Sequence, residues 1–491
     1  MRPAIMIIST LRMTALVAAM SLAGCAFAPP AKPPASPTPA HYAVEPTPTD
    51  GAKVDGVAQH FSLGERAVPE WWREYGNDTL NAWVEEGLRN NPSLTATKHT
   101  LESAHQLLRA QIGANMLPSL DAQAQSSRQR ALGFPNVGPP TNLYDVYAGQ
   151  LALSYNFDVF GATRHGIEQT AAQVDQQSYE FDAAKRSLAA NIVMAAINAA
   201  SLEEQVRATG QISKLAHEQA DLTEHAHGLG AASQDDVLSL RQQAASVDTS
   251  LPSLRAQAEK ARHALAVLLG RTPDQAPTNL TLADLHLPEN VPVSVPSDLL
   301  QQRPDILAAE AAVHAASAQV GVATANMFPH ISLSATLGTE GFKPSALFTS
   351  AGSVWSAGLS LTQPIFHGGE LIAKRKAAIA SYNAAIADYQ QTVLNAFQNV
   401  ADTLTALNQD ALTLQAAQLQ AESAQQSFSN ADARYRLGAV AYPSKVLSEQ
   451  HWQNARLTEI QARAARLADT AALFQAMGVP QGTALAETSR R

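Results

Sequence analysis

Few of the reactive residues in this 491-residue chain stand in a pattern that enzymes use. The sequence contains no Gly-x-x-x-x-Gly-Lys-Ser/Thr loop for nucleotide phosphates and no Gly-x-Ser-x-Gly turn for a serine nucleophile. His225 and His227 suggest a metal, but side chains two residues apart point to different faces of a helix, and no third ligand follows at a suitable spacing. We therefore predict neither a catalytic site nor a metal site.

Cys25 is the only cysteine in the chain, and its surroundings predict lipidation. Arg2 and Arg12 precede an apolar stretch at residues 13–22, which is too short to span a bilayer and is typical of a signal peptide. Residues 22–25, Leu-Ala-Gly-Cys, resemble a bacterial lipobox, in which the cysteine takes a diacylglycerol before cleavage in front of it. The alternative is an ordinary signal peptide with an incidental cysteine.

The resemblance to a lipobox sets the predicted boundaries of the N-terminal segments. We predict a lipoprotein signal peptide at residues 1–24 and an acylated N-terminus with a Pro-rich, extended tether at 25–68. The expected lipid is an N-acyl and S-diacylglycerol group on Cys25, with no other cofactor, and two or more acyl chains anchor a protein stably. Ala26 stands directly after the cysteine in place of an acidic residue, and by resemblance to known lipoprotein sorting this favours the outer membrane over retention in the inner membrane.

Composition excludes one class of partner and favours one kind of structure. The net charge of −9 comes without any run of Lys or Arg, so the chain offers no basic surface for nucleic acid. Only 16% of the residues are charged, and alanine makes up much of the apolar fraction. This balance is typical of long, closely packed helices.

The two halves of the chain share short motifs in the same order. The motif Ala-Asn-Met-Leu/Phe-Pro begins at Ala114 and recurs 211 residues later, at Ala325. Three further pairs recur at offsets of 208 to 212 residues: Leu229-Gly230-Ala231 with 437–439, Val237-Leu238-Ser239 with 446–448, and Asn91-Pro92 with Arg303-Pro304. We predict an internal two-fold repeat, with one copy at 69–280, a second at 281–480 and a disordered tail at 481–491.

Four segments alternate apolar and polar residues with a period of two, as strands with one apolar face do. They lie at about residues 119–130, 147–158, 330–338 and 354–363. Loops rich in glycine and proline separate the members of each pair. Strands of about ten residues fit a transmembrane β-barrel. The strand pattern alone fits a soluble antiparallel sheet equally well.

Four strands cannot close a barrel, and lipid does not tolerate an open sheet edge. Either several chains share one barrel or the sheet does not cross a membrane. Two copies would supply about eight strands and three about twelve. The strand count alone does not choose between these numbers.

Two long segments, residues 166–226 and 370–436, contain no proline and, apart from Gly210, no internal glycine. At about 1.5 Å per residue, each helix would be roughly 90–100 Å long. Apolar residues recur at spacings of three, four and seven, as in coiled-coil seams. A wall of helices around a hollow and a solid coiled coil both explain this pattern.

The remaining motifs carry a family resemblance that extends over nearly everything after Val68. They are Trp71-Trp72, Asn77-Asp78-Thr79-Leu80, Leu300-Gln301-Gln302-Arg303-Pro304-Asp305-Ile306 with Glu310, Gln363-Pro364-Ile365-Phe366 with Gly368-Gly369, Ala396-Phe397 with Val400 and Leu404, and Arg434-Tyr435-Arg436-Leu437-Gly438 before Val446-Leu447. In this order they resemble the outer-membrane factor family, specifically its TolC-like, NodT-type lipoprotein branch.

Several of these residues predict structural roles. Arg303, Pro304 and Asp305 resemble a helix start, because proline fits the first turn and an early carboxylate complements the positive helix end. Pro364 and the pair Gly368-Gly369 stand where a strand must turn into a helix.

The resemblance implies a mixed α-helical and β-barrel membrane protein. Three chains would form a twelve-stranded β-barrel in the outer membrane, four strands from each, continued by a trimeric α-helical barrel in the periplasm. The implied function is a passive exit channel for small molecules, including drugs. Its implied partners are two further copies, outer-membrane lipid, a periplasmic adaptor protein and an inner-membrane RND-type pump that supplies the energy.

The resemblance also places the periplasmic mouth at two helix reversals, residues 228–237 and 438–446, where Gly230 and Gly438 permit the turn. In the family an aspartate commonly follows the Val-Leu pair and forms a carboxylate ring. Here that position is Ser448, followed by Glu449. Asp235 and Asp236 are the other aperture candidates, and the alternative is that they cap the following helix.

Two other functions remain open at this point. One is a periplasmic structural lipoprotein with a solid coiled coil and a soluble sheet. The other is an outer-membrane duct for secreted proteins. The two-faced strands favour a channel over the structural lipoprotein, which has no need of an apolar outer face with a polar lumen.

Overall fold

The computed structural model describes residues 28–33, 39, 41–42, 59–65, 69–134 and 137–478. The predicted signal peptide, Cys25, most of the predicted tether and the tail from residue 481 lie outside the described residues. Two compact units divide the chain. Among the described residues, those within 1–35, 100–178 and 308–390 form the sheet unit, and those within 36–99, 179–307 and 391–491 form the helical unit.

Eight α-helices lie within the described residues. They are α1 (Asp78–Asn90), α2 (Pro92–Met116), α3 (Ala162–Gly228), α4 (Gln234–Leu268), α5 (Pro296–Gln302), α6 (Pro304–Ala325), α7 (Glu370–Arg436) and α8 (Tyr442–Met477). Helices α3 and α7 contain 67 residues each, which corresponds to about 100 Å. Gly210 lies inside α3 without ending it, since one glycine costs a helix only about 1 kcal/mol.

Among the described residues, α6 is the one helix long and apolar enough to cross a membrane by length and composition. About half of its most apolar stretch, 56%, is buried inside the protein. A core helix shows the same burial, so the hydropathy of α6 alone does not identify it as a membrane span.

The sheet unit contains one four-stranded antiparallel sheet in the order β2-β3-β5-β6. Its strands are β2 (Ser119–Phe134), β3 (Val137–Phe157), β5 (His330–Gly341) and β6 (Ser353–Thr362). The sequence predicted a strand in each of these places, but the first hairpin is longer than predicted. Pairing continues through Leu132 and Thr141, and a register shift between Leu132 and Phe134 carries the strand into a segment that the sequence predicts as loop.

Described residues of the predicted tether are fixed to the sheet unit. The Ser317 hydroxyl donates a hydrogen bond to the Pro29 carbonyl at 2.7 Å, and the Tyr382 hydroxyl donates to the Pro30 carbonyl at 2.9 Å. Ser317 is buried. At these two residues the chain is held against α6 and α7 and is not a free tether.

The helical unit packs around the Trp71-Trp72 motif. The Trp71 ring stacks on Phe474 of α8 at 5.2 Å, and the buried Tyr75 hydroxyl donates to the Leu467 carbonyl at 2.7 Å. A short parallel pair, β1 (His60–Leu63) with β4 (Asn290–Val293), belongs to the same unit. These contacts connect the start of the first half to the last helix of the second half.

The Asn77-Asp78-Thr79-Leu80 motif begins α1. The Asn77 side chain accepts a hydrogen bond from the Leu80 backbone N–H at 2.8 Å, as an N-cap does. Asp78 in the first turn complements the positive end of the helix.

Candidate functional site

The pairing register places the predicted apolar residues of all four strands on one face of the sheet. Two neighbouring rows across β2, β3, β5 and β6 are Ala122, Leu151, Leu337, Trp355 and Leu120, Leu153, Ala335, Ala357. Trp355 and Leu359 are exposed in the single chain. Exposed large apolar side chains in a continuous band indicate a surface made for lipid or for a partner.

The opposite face is polar and largely uncharged. Gln123 pairs with Gln150, the Ser119 and Ser154 hydroxyls lie 2.8 Å apart, and the Thr336 and Ser356 hydroxyls lie 2.7 Å apart. A sheet with one apolar and one hydrogen-bonding face is the arrangement of a wall between lipid and water.

Strands β2 and β6 are the two edges of this sheet, and within the described residues neither has a strand on its outer side. Each edge therefore presents a row of backbone N–H and C=O groups without a ladder partner in the same chain. Such edges can pair with another strand of the same kind.

Charged and glycine residues form the junctions between the sheet and the long helices. The Asp158 carboxylate, just after β3, accepts hydrogen bonds from the backbone N–H groups of Thr163 at 3.0 Å and Arg164 at 2.9 Å. It thereby holds the first turn of α3. This role of Asp158 was not predicted from the sequence, because the residue lies four positions before the helix and not at its N-cap.

The junction before α7 contains the predicted turn residues. Pro364 follows β6, and Gly368 and Gly369 have φ angles of +57° and +86°, which L side chains rarely adopt. Glu370 then begins α7 and pairs with Lys374 at 2.5 Å. The two glycines allow the chain to reverse into the helix.

The Arg303-Pro304-Asp305 motif starts α6, with Pro304 as its first residue. The Arg303 guanidinium contacts both carboxylate oxygens of Asp305, at 2.6 and 3.0 Å, and also donates to the Ala476 carbonyl at 3.1 Å. The arginine therefore binds the end of α8 as well as the start of α6, a contact that the sequence did not predict.

The first helix reversal follows α3 and turns at Gly230, whose φ is +75°. Asp236 accepts hydrogen bonds from the Ser233 backbone N–H and hydroxyl, and the Ser233 hydroxyl accepts from the Asp236 backbone N–H at 3.1 Å. These bonds lower the pKa of Asp236 and form a complete capping box at the start of α4. The Asp235 side chain is exposed and has no hydrogen bond or ion pair to any other described residue.

The second reversal turns at Gly438, with φ of +70°, between α7 and α8. The Ser448 hydroxyl donates to the Ser444 carbonyl at 3.0 Å within α8. Glu449 is half-buried one residue further on. The structure of a single chain therefore places these two aperture candidates on the first two turns of α8.

A polar cluster beside the second reversal joins the two halves of the chain. The Tyr442 hydroxyl donates a short hydrogen bond to the Glu218 carboxylate on α3, which raises the pKa of Tyr442 to about 12. Asp432 pairs with Lys445 at 2.9 Å and with Arg436 at 2.7 Å. The sequence did not predict the contact between Tyr442 and Glu218, because these two residues are 224 positions apart and share no motif.

The outer surface of both reversals is apolar at one position each. Leu229 is 86% exposed and Leu437 is 83% exposed, each directly before the turning glycine. Each half of the chain therefore exposes one leucine at the same position of its helix reversal.

No metal-binding arrangement occurs in the part of the chain that the structure describes. His225 and His227 instead make local contacts through Nδ1, with the Asp221 carbonyl at 2.7 Å and the Ala232 carbonyl at 2.9 Å. Both contacts lie within the end of α3 and the reversal.

A two-faced antiparallel sheet joined to two helices of 67 residues is typical of an outer-membrane channel protein. The profile of the outer membrane efflux protein family matches residues 83–271 and again residues 295–479. The chain belongs to the outer membrane efflux protein family. It is an outer-membrane export channel that extends into the periplasm, and the resemblance inferred from the sequence is confirmed.

Two relatives and one solved structure illustrate the relationship. The chain is 30% identical to nodulation protein T of Rhizobium leguminosarum over 87% of this chain and 85% of that protein. It is 29% identical to outer membrane protein OprJ of Pseudomonas aeruginosa, over 87% of this chain and 86% of that protein. The open-state MtrE outer membrane channel of Neisseria gonorrhoeae matches with a TM-score of 0.76 and 28% identity, over 91% and 98% of the two chains.

Proposed function

We propose that three copies of this chain form the passive exit channel of a tripartite efflux pump, with a shared twelve-stranded β-barrel in the outer membrane. The observation that carries the proposal is the four-stranded sheet with one apolar face, one polar face and two free edges. An open edge is not stable in lipid, so edge strand β2 of one copy pairs with β6 of the next.

The barrel width favours three copies over two. Two copies would close about eight strands, and the interior of an eight-stranded barrel is filled by its own side chains. Three copies would close about twelve strands, which leaves room for solutes. The hydroxyl and amide groups of the polar face then line water, and the apolar band with Trp355 meets lipid.

The two helix reversals form the periplasmic mouth. The Tyr442 to Glu218 hydrogen bond and the Asp432 to Lys445 ion pair hold the second reversal in place. A periplasmic adaptor that contacts Leu229 and Leu437 would displace α7 and α8 and break these bonds. An inner-membrane RND-type pump supplies the energy and selects small-molecule cargo.

The lipid anchor belongs to the same proposal. Cys25 carries the N-acyl and S-diacylglycerol group, and Pro29, four residues later, is bound to Ser317 of the sheet unit. The chain that follows the lipid is therefore held to the sheet unit at Pro29. The intact mass of the mature chain tests this step, because a lipidated protein begins at Cys25 with three acyl chains and an unmodified one does not.

Disulfide cross-linking between edge strands tests the shared barrel. Cysteines placed in turn along β2, combined with Ser356→Cys on β6, should give covalent trimers at one register on a non-reducing gel. Cys25 does not interfere, since its thiol is blocked by lipid. Gln150→Cys on the central strand β3, paired on both sides, is the matched control and should give monomers with the same partner. Covalent dimers as the largest product at every register would contradict the trimer.

A further inference from the structure

Two aspartates on facing helices lie next to each other inside the helical unit. Asp410 belongs to α7 and Asp469 to α8, and their carboxyl groups are within hydrogen-bonding reach. The Oδ2 atom of Asp410 is buried and accepts no hydrogen bond from any described donor. Arg466, one turn before Asp469 on α8, is 1% exposed, and its positive charge lowers the pKa of Asp410.

Two ionised carboxylates cannot occupy such positions without cost. Both groups are acceptors when ionised, so neither can satisfy the other, and their charges repel. One proton between them supplies the missing donor and removes the repulsion. Burial, and then the neighbouring Asp469 carboxyl, raise the pKa of Asp410 to about 6, while Arg466 opposes this shift.

We propose that Asp410 and Asp469 share one proton, and that loss of this proton weakens the packing of α7 against α8. The two helices also meet through Leu414, Ala417 and Ala462, which form one buried apolar cluster. In the proposed channel, α7 and α8 carry the second reversal, so a more acidic periplasm would favour a tightly packed mouth. That last consequence rests on the proposed function, whereas the shared proton does not.

The pH dependence follows from the direction of the shift. The folded chain binds this proton more tightly than an unfolded chain, in which an aspartate has a pKa near 3.8. The stabilisation is therefore fully present below about pH 3.8 and is lost as the pH rises through about 6. The charged groups acting on Asp410 are Asp469 and Arg466, both on α8.

Thermal unfolding of the full-length protein in detergent, measured from pH 4 to pH 8, tests the proposal. The wild type should lose thermal stability between pH 4 and pH 7. Asp410→Asn keeps the shape without the charge, so its unfolding temperature should exceed that of the wild type at pH 8 and vary less with pH. Asp402→Asn is the matched control, because Asp402 lies on the same helix, is exposed and accepts a hydrogen bond from Gln398.

An infrared difference spectrum gives a second readout that does not depend on stability. Between pH 5 and pH 7 the wild type should lose a carboxylic acid carbonyl band that is absent from Asp410→Asn. Asp469→Asn replaces that variant if Asp410→Asn fails to fold. The proposal is overturned if the wild type shows no such band, or if both variants follow the pH profile of the wild type and of Asp402→Asn. Because neither readout requires conduction, a protein that fails to conduct leaves this test intact.

Discussion

The hydrogen bond between Tyr442 and Glu218 connects the first half of the chain to the second beside the proposed mouth. It is short, and Lys445 lies 5.7 Å from the Tyr442 ring while pairing with Asp432. Each of these contacts is small beside the unfolding free energy of a whole domain, since a net hydrogen bond to a charged group contributes about 1.5–3 kcal/mol. Single substitutions here should therefore change the fraction of open channels without unfolding the protein.

Tyr442→Phe removes the hydroxyl and keeps the ring. We expect the open fraction to rise about twofold or more, because the closed state loses one hydrogen bond. Single-channel recording measures this fraction. Tyr435→Phe is the control, since the Tyr435 ring centroid lies 5.1 Å from that of Tyr442 and the hydrogen bond to Glu218 comes from Tyr442. Equal open fractions in Tyr442→Phe and wild type would show that this bond does not hold the mouth.

The adjacent aspartates of the first reversal should respond differently to substitution. Asp236→Ala breaks the capping box with Ser233 and should lower the unfolding temperature, with little effect on ion selectivity. Asp235→Ala removes an exposed carboxylate and should leave stability nearly unchanged while reducing the preference for cations. Reversal potentials in a salt gradient and thermal unfolding separate the two effects. Unchanged selectivity in Asp235→Ala would assign the aperture elsewhere, with Glu449 as the next candidate.

At the scale of elements, Gly270 and Gly210 differ in whether the fold requires glycine at their positions. Gly270, just after α4, has φ of +79°, and an added Cβ would lie 2.6 Å from the Asn90 carbonyl oxygen. Gly210 lies inside α3, and an added Cβ there would meet nothing within 4 Å. One position requires glycine and the other does not.

Gly270→Ala should therefore destabilise the helical unit by about 1–2 kcal/mol or more, from the left-handed backbone alone. Gly210→Ala should stabilise α3 by about 0.5–1 kcal/mol, because alanine is the better helix former. Unfolding temperatures of the two variants give this comparison. A higher unfolding temperature for Gly270→Ala than for Gly210→Ala would contradict the backbone geometry described above.

The helices and strands could be predicted from the sequence where the pattern that specifies them is local. Period-two alternation placed Leu151 and Leu337 on one face, and the register pairs these two residues directly. The glycines and prolines of the first hairpin predicted a loop where pairing in fact continues past Leu132. Backbone hydrogen bonds outweigh turn propensity there. The Tyr442 to Glu218 bond could not be predicted, since no local pattern relates two residues that only the folded chain brings together.

At the scale of the whole molecule, the free edges of β2 and β6 and the exposed apolar band make one chain incomplete. A structural lipoprotein would have no use for this combination, and membership of the outer membrane efflux protein family agrees with a channel. The sequence alone predicted the strands, and it required several copies only if the sheet crosses a membrane. It could not fix their number, because closure depends on contacts between chains.

Single-channel conductance of the purified protein in a planar lipid bilayer tests the central claim most directly. We predict small, cation-selective openings for the wild type and larger or more frequent openings for Tyr442→Phe, since the mouth limits the current and the barrel does not. The protein must first be shown to be folded and inserted, for example by cross-linked trimers in the same membranes. No conductance from either protein under these conditions would contradict a transmembrane export channel.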